Sequence, residues 1–145
     1  MLFLLYPPAV FADGPVCGAG KGPAIGGYDV VAYFTKSEAQ KGSPEFKAEW
    51  SGATWHFADA GHRDLFLKAP EKYAPQYGGY CAYAMSKGGE ADGDGERWKI
   101  VDGKLYLNNN WIAQKLWSKD IPSKIKDADG QWPKAKTKIR AGNRE

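Results

Sequence analysis

Cys81, His56 and His62 are the side chains of this chain with the chemistry to hold a soft metal ion. Cys81 lies in YGGYCAYAMSKGG, residues 77–89, and is one of two cysteines in the sequence. A thiolate with one or two imidazoles suits Cu(I) or Zn. Two other roles stay open: a buried thiol packed in the core, or a disulfide with Cys17 in an oxidising compartment.

The two histidines are expected in different elements. In the alternating segment around His56, Trp55 and Phe57 share one face, so His56 lies on the other face and is partly exposed. His62 falls in the first turn of a predicted helix, where a lone histidine is usually a surface residue. The sharpest site would bring both imidazoles to Cys81, with copper as the favoured ion.

A pocket for a small ligand is a second possible site. Aromatic walls with a few polar tips suit such a ligand, and the alternative is that most of these rings are core residues whose hydroxyls have partners. Asp29 lies in an otherwise apolar sequence segment, so it either caps a helix or is a buried carboxylate with a function. The candidate lining residues are Tyr28, Asp29, Tyr33, Tyr80 and Trp98.

Signatures of common enzymes are absent from the sequence, which has no GxSxG, HExxH, GxxxxGK[ST] or GxGxxG motif. A pair of Cys81 with either histidine is formally possible. Nucleophilic catalysis would also need an orienting group and an anion-stabilising site, and no pattern marks them. We therefore expect a binding module rather than an enzyme.

Two hairpins must position these residues. FKAEWSGATWHFA, residues 46–58, alternates apolar and polar residues on either side of a Ser51-Gly52 turn. RWKIVDGKLYLN, residues 97–108, does the same around Asp102-Gly103, a strong signal for a two-residue turn. Each hairpin is followed by a predicted helix, but no internal repeat is obvious because the two hairpins differ in sequence.

Short helices complete the predicted fold. Asp29, Asp59, and Asn109 or Asn110 are placed to cap three of them. A last short helix opens at Pro122 and is expected to end at Gly130 and Pro133. The predicted fold class is α+β: a single small domain in which two antiparallel hairpins or small sheets pack with short helices.

The charge of the chain is concentrated at its carboxyl end. The formal net charge is +3, and KAKTKIRAGNRE, residues 134–145, contains five basic residues and one acidic residue. The remainder is close to neutral and shows no basic stripe, so we expect no nucleic-acid partner. Residues 134–145 are predicted to be a basic flexible tail.

The amino end reads MLFLLYPPAVFADGP. Residues 1–12 are predicted to be the remnant of a signal peptide, since an apolar run precedes a small-residue cleavage pattern; the alternative is a disordered apolar end or a packed arm. The run is too short to span a bilayer, and Pro7-Pro8 would break a helix. Residues 13–23 are expected to form an arm, and no transmembrane segment is expected elsewhere.

Several phrases together resemble the YHS-domain family: GGYDVVAYF, GATWHFA, RDLF, PEKYAPQYGGYCA and DGKLYLN. The similarity covers residues 24–133. It implies a small domain related to cysteine-rich metal-binding modules, in a stand-alone bacterial protein exported to the periplasm or secreted. It also implies a metal-linked role, often with copper or another soft transition metal.

The resemblance is incomplete at the metal ligands. Metal-binding relatives commonly read YYFCSEGC, where this chain reads WHFADAGH, so Ala58 and His62 stand at the two cysteine positions. The expected function is an exported binding module that holds a metal ion or a small metal-linked ligand near Cys81. The alternative is a structural or protein-interaction domain without metal, in which Cys81 is a core residue or forms a disulfide. Cys17 lies outside the matching region, which weakens the disulfide.

Overall fold

The computed structural model describes residues 15–140, and the predicted signal remnant and the last five residues lie outside this range. Within it the chain has six α-helices and two separate two-stranded antiparallel sheets. The α+β prediction is confirmed. Neither sheet hydrogen-bonds to the other, so helices and turns must hold the two hairpins together.

The first hairpin joins β1 (Ser43–Trp50) to β2 (Ala53–Phe57). Alternate residues of β2 are buried, because one face of the strand covers the core while the other faces outward. A 3-10 turn (Ala24–Gly27) and α1 (Ala32–Thr35) precede this hairpin. Two helices follow it, α2 (Ala60–Lys68) and α3 (Pro70–Tyr73).

The second hairpin joins β3 (Asp94–Val101) to β4 (Lys104–Asn108) around the predicted Asp102-Gly103 turn. A second 3-10 turn (Gln76–Gly79) and α4 (Ala82–Ser86) precede it. After it come α5 (Trp111–Ser118), which Asn110 caps as expected, and α6 (Ile121–Arg140).

The same series of elements therefore occurs twice along the chain. β3 begins 51 residues after β1, at Asp94 and Ser43, and β4 begins 51 residues after β2, at Lys104 and Ala53. Both hairpins have an irregular register near the start of their first strand. The fold is an internal structural repeat, which the sequence does not make obvious.

The strongest sign of the repeat is the backbone of the two 3-10 turns. Ile25, Gly26 and Gly27 have φ values of 56°, 60° and 83°, and the corresponding residues 77–79 have 57°, 63° and 87°. Positive φ is rare for a residue with a β-branched side chain such as Ile25. Two segments that share positive φ at matching positions follow the same backbone path, although their sequences have in common only Gly-Gly-Tyr and the proline three residues before it.

The predicted end of the last helix at Gly130 and Pro133 is wrong, because α6 continues to Arg140. Pro133 lacks an N–H and removes one helical hydrogen bond. Packing outweighs that loss, since most helical stability in proteins comes from burying an apolar face. The stripe that packs on the core runs past the proline and consists of Ile125, Ala128, Trp132, Ala135 and Ile139.

Aromatic rings fill the core of the first half. Phe66 of α2 contacts three rings of the first hairpin, those of Trp50, Trp55 and Phe57, with centroid distances of 5.0–5.7 Å. In the second half Tyr106 packs against the fully buried Trp117 at 5.5 Å. Among residues 15–140, no helix has both the length and the apolar character needed to cross a bilayer.

Candidate functional site

Cys81 lies at the start of α4 and is only 1% exposed. Its Sγ accepts a hydrogen bond from the N–H of Ala84 at 3.5 Å, and the thiol donates to Oδ1 of Asn108, also at 3.5 Å. That amide oxygen accepts a second hydrogen bond from the N–H of Tyr83 at 3.0 Å. The thiol thus acts as a helix cap inside the core.

The structure does not gather the predicted metal ligands into one cluster. Within residues 15–140, no group of three or more His, Cys, Asp or Glu side chains is placed to hold a metal ion. In the same range neither cysteine forms a disulfide. Cys17 is buried in the amino-terminal arm, where its N–H donates to the carbonyl of Gly78 at 2.8 Å.

The two histidines occupy different environments. His56 lies on the outward face of β2 and is half-buried, as predicted. His62 was expected at the surface, but it is 9% exposed, and this expectation is wrong. The reason is a buried carboxylate: Nδ1 of His62 lies 2.7 Å from Oδ2 of Asp29.

Asp29 combines both roles that its apolar surroundings suggested. It is fully buried. Its Oδ1 accepts hydrogen bonds from the N–H groups of Val31 at 2.9 Å and Ala32 at 3.2 Å, in the turn that leads into α1. Its Oδ2 accepts from the N–H of Ala58 at 2.9 Å and faces His62. One carboxylate therefore joins α1, the end of the first hairpin and α2.

His62 bridges this carboxylate to the surface. An ionised carboxylate only accepts hydrogen bonds, so it pairs with the tautomer of His62 that carries hydrogen on Nδ1. The second ring nitrogen, Nε2, lies 3.1 Å from Oγ1 of Thr35. Thr35 is an exposed residue at the end of α1. No local sequence pattern marks Thr35, because its neighbour His62 lies 27 residues away along the chain.

Three of the predicted pocket residues lie together beside β3. The hydroxyl of Tyr33 donates to the carbonyl of Gly95 at 2.7 Å, and its ring lies 5.2 Å from that of Trp98. The hydroxyl of Tyr28 donates to Oε1 of Glu96 at 2.9 Å. Burial raises the pKa of Tyr33 above its ordinary value, and burial together with Glu96 raises the pKa of Tyr28. Both hydroxyls thus remain protonated at neutral pH.

Tyr80 borders a surface cleft of about 380 Å³. A second cleft of about 320 Å³ lies between α3 and α6, where the hydroxyl of Tyr77 donates to Oδ1 of Asp129 at 2.9 Å. Burial is also the main cause of the raised pKa of Tyr77. Cys81 lines neither of these two clefts.

Large apolar side chains are exposed at the start of α5. Trp111 is 58% exposed, and its neighbour Ile112 is 51% exposed. On α2, Leu67 is 52% exposed and Leu65 is 39% exposed. No sequence pattern distinguishes Trp111 from the other five tryptophans, because its exposure depends on how α5 packs in the fold.

No family model, curated protein or solved structure matches this chain.

Proposed function

We propose that this chain is a protein-interaction domain resembling the YHS family, and that it docks a partner protein through Trp111 and Ile112. The observation that supports this function is the exposure of two adjacent large apolar side chains, 58% and 51%, at the start of α5. Contiguous apolar surface is typical of interaction sites. Tryptophan is among the residue types that most often dominate binding energy.

The charge beside these residues defines the partner's chemistry. Lys115 lies four residues after Trp111 on the same side of α5, and Lys119 follows directly after the helix; both are exposed. The fitting partner is a protein surface with an apolar pocket bordered by carboxylates. Such charge complementarity orients the partner and raises the rate of association.

The placement of Cys81 favours this function over copper binding. A thiol that caps α4 and donates to Asn108 already has protein partners on both sides. Coordination of a metal ion requires deprotonation of the thiol and would break the hydrogen bond that it donates. We propose that Cys81 is a structural core residue, and that the protein is exported to the bacterial periplasm or secreted, as the resemblance and the apolar segment in residues 2–11 suggest.

A photoreactive amino acid at position 111 should cross-link one partner protein in the native compartment. With that partner purified, Trp111→Ala should weaken binding at least tenfold, about 1.4 kcal/mol, measured by isothermal titration calorimetry. Leu67→Ala is the matched control, since Leu67 is similarly exposed on α2, and should leave the affinity unchanged. Wild-type affinity in Trp111→Ala, or cross-links only to a second copy of this chain, would contradict the proposal.

The role of Cys81 is tested with Cu(I) and a thiol reagent. In the Cys17→Ala variant, Cys81 should react with the reagent only after unfolding, because it is 1% exposed. Wild type and Cys81→Ala should have the same Cu(I) stoichiometry in a competition titration. The contrary outcome is that Cys17→Ala still binds one equivalent of Cu(I) and Cys81→Ala binds none. That result would support a copper site at Cys81 and contradict its structural role.

A further inference from the structure

The chain Asp29–His62–Thr35 runs from a fully buried carboxylate to an exposed hydroxyl. The two distances, 2.7 Å from Asp29 to Nδ1 and 3.1 Å from Nε2 to Oγ1 of Thr35, are both within hydrogen-bonding range. Asp29 is fixed by three backbone N–H groups, and His62 is 9% exposed. The imidazole is therefore held in place on one side and faces the hydroxyl on the other.

This order of groups is the one that nucleophilic catalysis by a hydroxyl requires: a carboxylate orients an imidazole, and the imidazole removes the proton of the nucleophile. With hydrogen on Nδ1, the lone pair of Nε2 points to Thr35. We propose that Thr35 is a nucleophilic hydroxyl that accepts an acyl group from an activated carboxylic ester. His62 acts as its general base, and Asp29 is a positioning residue.

The proposed step balances without any redox partner. Oγ1 of Thr35 attacks the carbonyl carbon of the ester, and its proton moves to Nε2 of His62. The bond between the carbonyl carbon and the leaving oxygen breaks, and the leaving group departs as an alkoxide or phenoxide that takes up the proton from His62. The products are an acyl ester of Thr35 and a free alcohol or phenol.

One contact competes with this arrangement and supplies a control. The hydroxyl of Thr35 also donates a hydrogen bond to the carbonyl oxygen of Val31, four residues earlier in the chain, at 3.3 Å. Thr137 of α6 is likewise exposed and donates to the carbonyl of Pro133, four residues earlier, at 3.1 Å. The two threonines share this back-bond, and Thr35 has an imidazole beside it in addition. A difference in their reactivity therefore reports on His62.

The test is acetylation of the full chain by p-nitrophenyl acetate, followed at each site by peptide mass spectrometry. Thr35 should be acetylated at least tenfold faster than Thr137, since a positioned base contributes about a hundredfold or more. Thr35→Val should remove this product, Thr35→Ser should retain it, and His62→Gln should lower the rate at Thr35 to that of Thr137. Thermal unfolding of every variant shows that it is folded at the assay temperature.

Equal labelling of Thr35 and Thr137, or no labelling of either, in the folded wild-type protein would overturn the proposal. So would a rate at Thr35 that His62→Gln leaves unchanged. If His62→Gln fails to fold, Thr35→Ser decides, because a less hindered hydroxyl beside the same base should react at least as fast as Thr35. None of these outcomes depends on Trp111. The acetylation test can therefore fail without affecting the proposed protein-interaction function, and the reverse also holds.

Discussion

Asp29→Ala is expected to lower the free energy of unfolding by about 3–5 kcal/mol, because it leaves several buried hydrogen-bond donors without an acceptor. The substitution deletes the acceptor for the N–H groups of Val31, Ala32 and Ala58 and for Nδ1 of His62. Each donor left buried without a partner costs about 1–3 kcal/mol. Part of that cost is recovered where water can enter, which keeps the total below the simple sum.

Urea denaturation followed by tryptophan fluorescence measures this loss, and an unchanged slope with denaturant shows that the change is in stability. Asp59→Ala is the matched control. Asp59 also caps a helix, with Oδ1 accepting from the N–H of His62 at 2.7 Å, but it lies at the surface. Its loss should cost about 1 kcal/mol. A cost for Asp29→Ala no larger than that of Asp59→Ala would show that burial of the carboxylate is unimportant.

The stability that Asp59 contributes depends on pH. The hydrogen bond from the N–H of His62 holds the pKa of Asp59 below its ordinary value of 3.8. A lowered pKa in the folded state means that the stability from this carboxylate is present above 3.8 and is lost as the pH falls through the lowered value. Wild type and Asp59→Ala should therefore differ at neutral pH and converge in acid.

Local signals in the sequence were sufficient for most of the secondary structure. The Asp102-Gly103 turn, the alternation of Trp55 and Phe57 around His56, and the caps Asp59 and Asn110 all involve residues within a few positions of one another. Each reflects backbone geometry that a short segment determines by itself. These elements were predicted correctly for that reason.

The candidate site depends on contacts that no local pattern contains. His62 and Asp29 are 33 residues apart, and His62 is buried where its Nδ1 meets the buried carboxyl group of Asp29. A helix that begins after Asp59 is consistent with either an exposed or a buried His62, so only the contacts that His62 makes in the folded chain decide. The continuation of α6 through Pro133 has the same cause, because Trp132 and Ile139 gain their burial from the rest of the fold.

The internal repeat is not visible in the sequence for another reason. The two halves share backbone conformation rather than side-chain identity. Asp29 and Cys81 both follow Gly-Gly-Tyr, and both accept backbone N–H groups where the next short helix begins, one with a carboxylate and the other with a thiol. A carboxylate and a thiol have little chemistry in common. The position needs an acceptor for helical N–H groups, and either side chain meets that need.

Glycine is the residue type that the repeat does require, at Gly42 and at its counterpart Gly93. The N–H of Gly42 donates to the carbonyl of Gly27 at 2.8 Å, and that of Gly93 donates to the carbonyl of Gly79 at 3.1 Å. A Cβ at Gly42 would overlap the backbone of His56, and a Cβ at Gly93 would overlap the backbone of Gly79. The chain approaches itself too closely at these points for any side chain.

Gly42→Ala and Gly93→Ala are therefore each expected to destabilise the fold by about 3 kcal/mol, the upper part of the usual range for overpacking, because the clashing atoms are backbone and cannot rotate away. Gly130→Ala is the matched control: no atom lies within 4 Å of the added Cβ in the interior of α6. It should stabilise by about 0.5–1 kcal/mol. Urea denaturation measures the free energy of unfolding of each variant. Equal decreases for Gly42→Ala and Gly93→Ala would show that the two halves have the same structural requirement. If either substitution leaves the stability unchanged, a small backbone shift relieves the close contact at that position. The two halves would then share a backbone path without sharing a requirement for glycine.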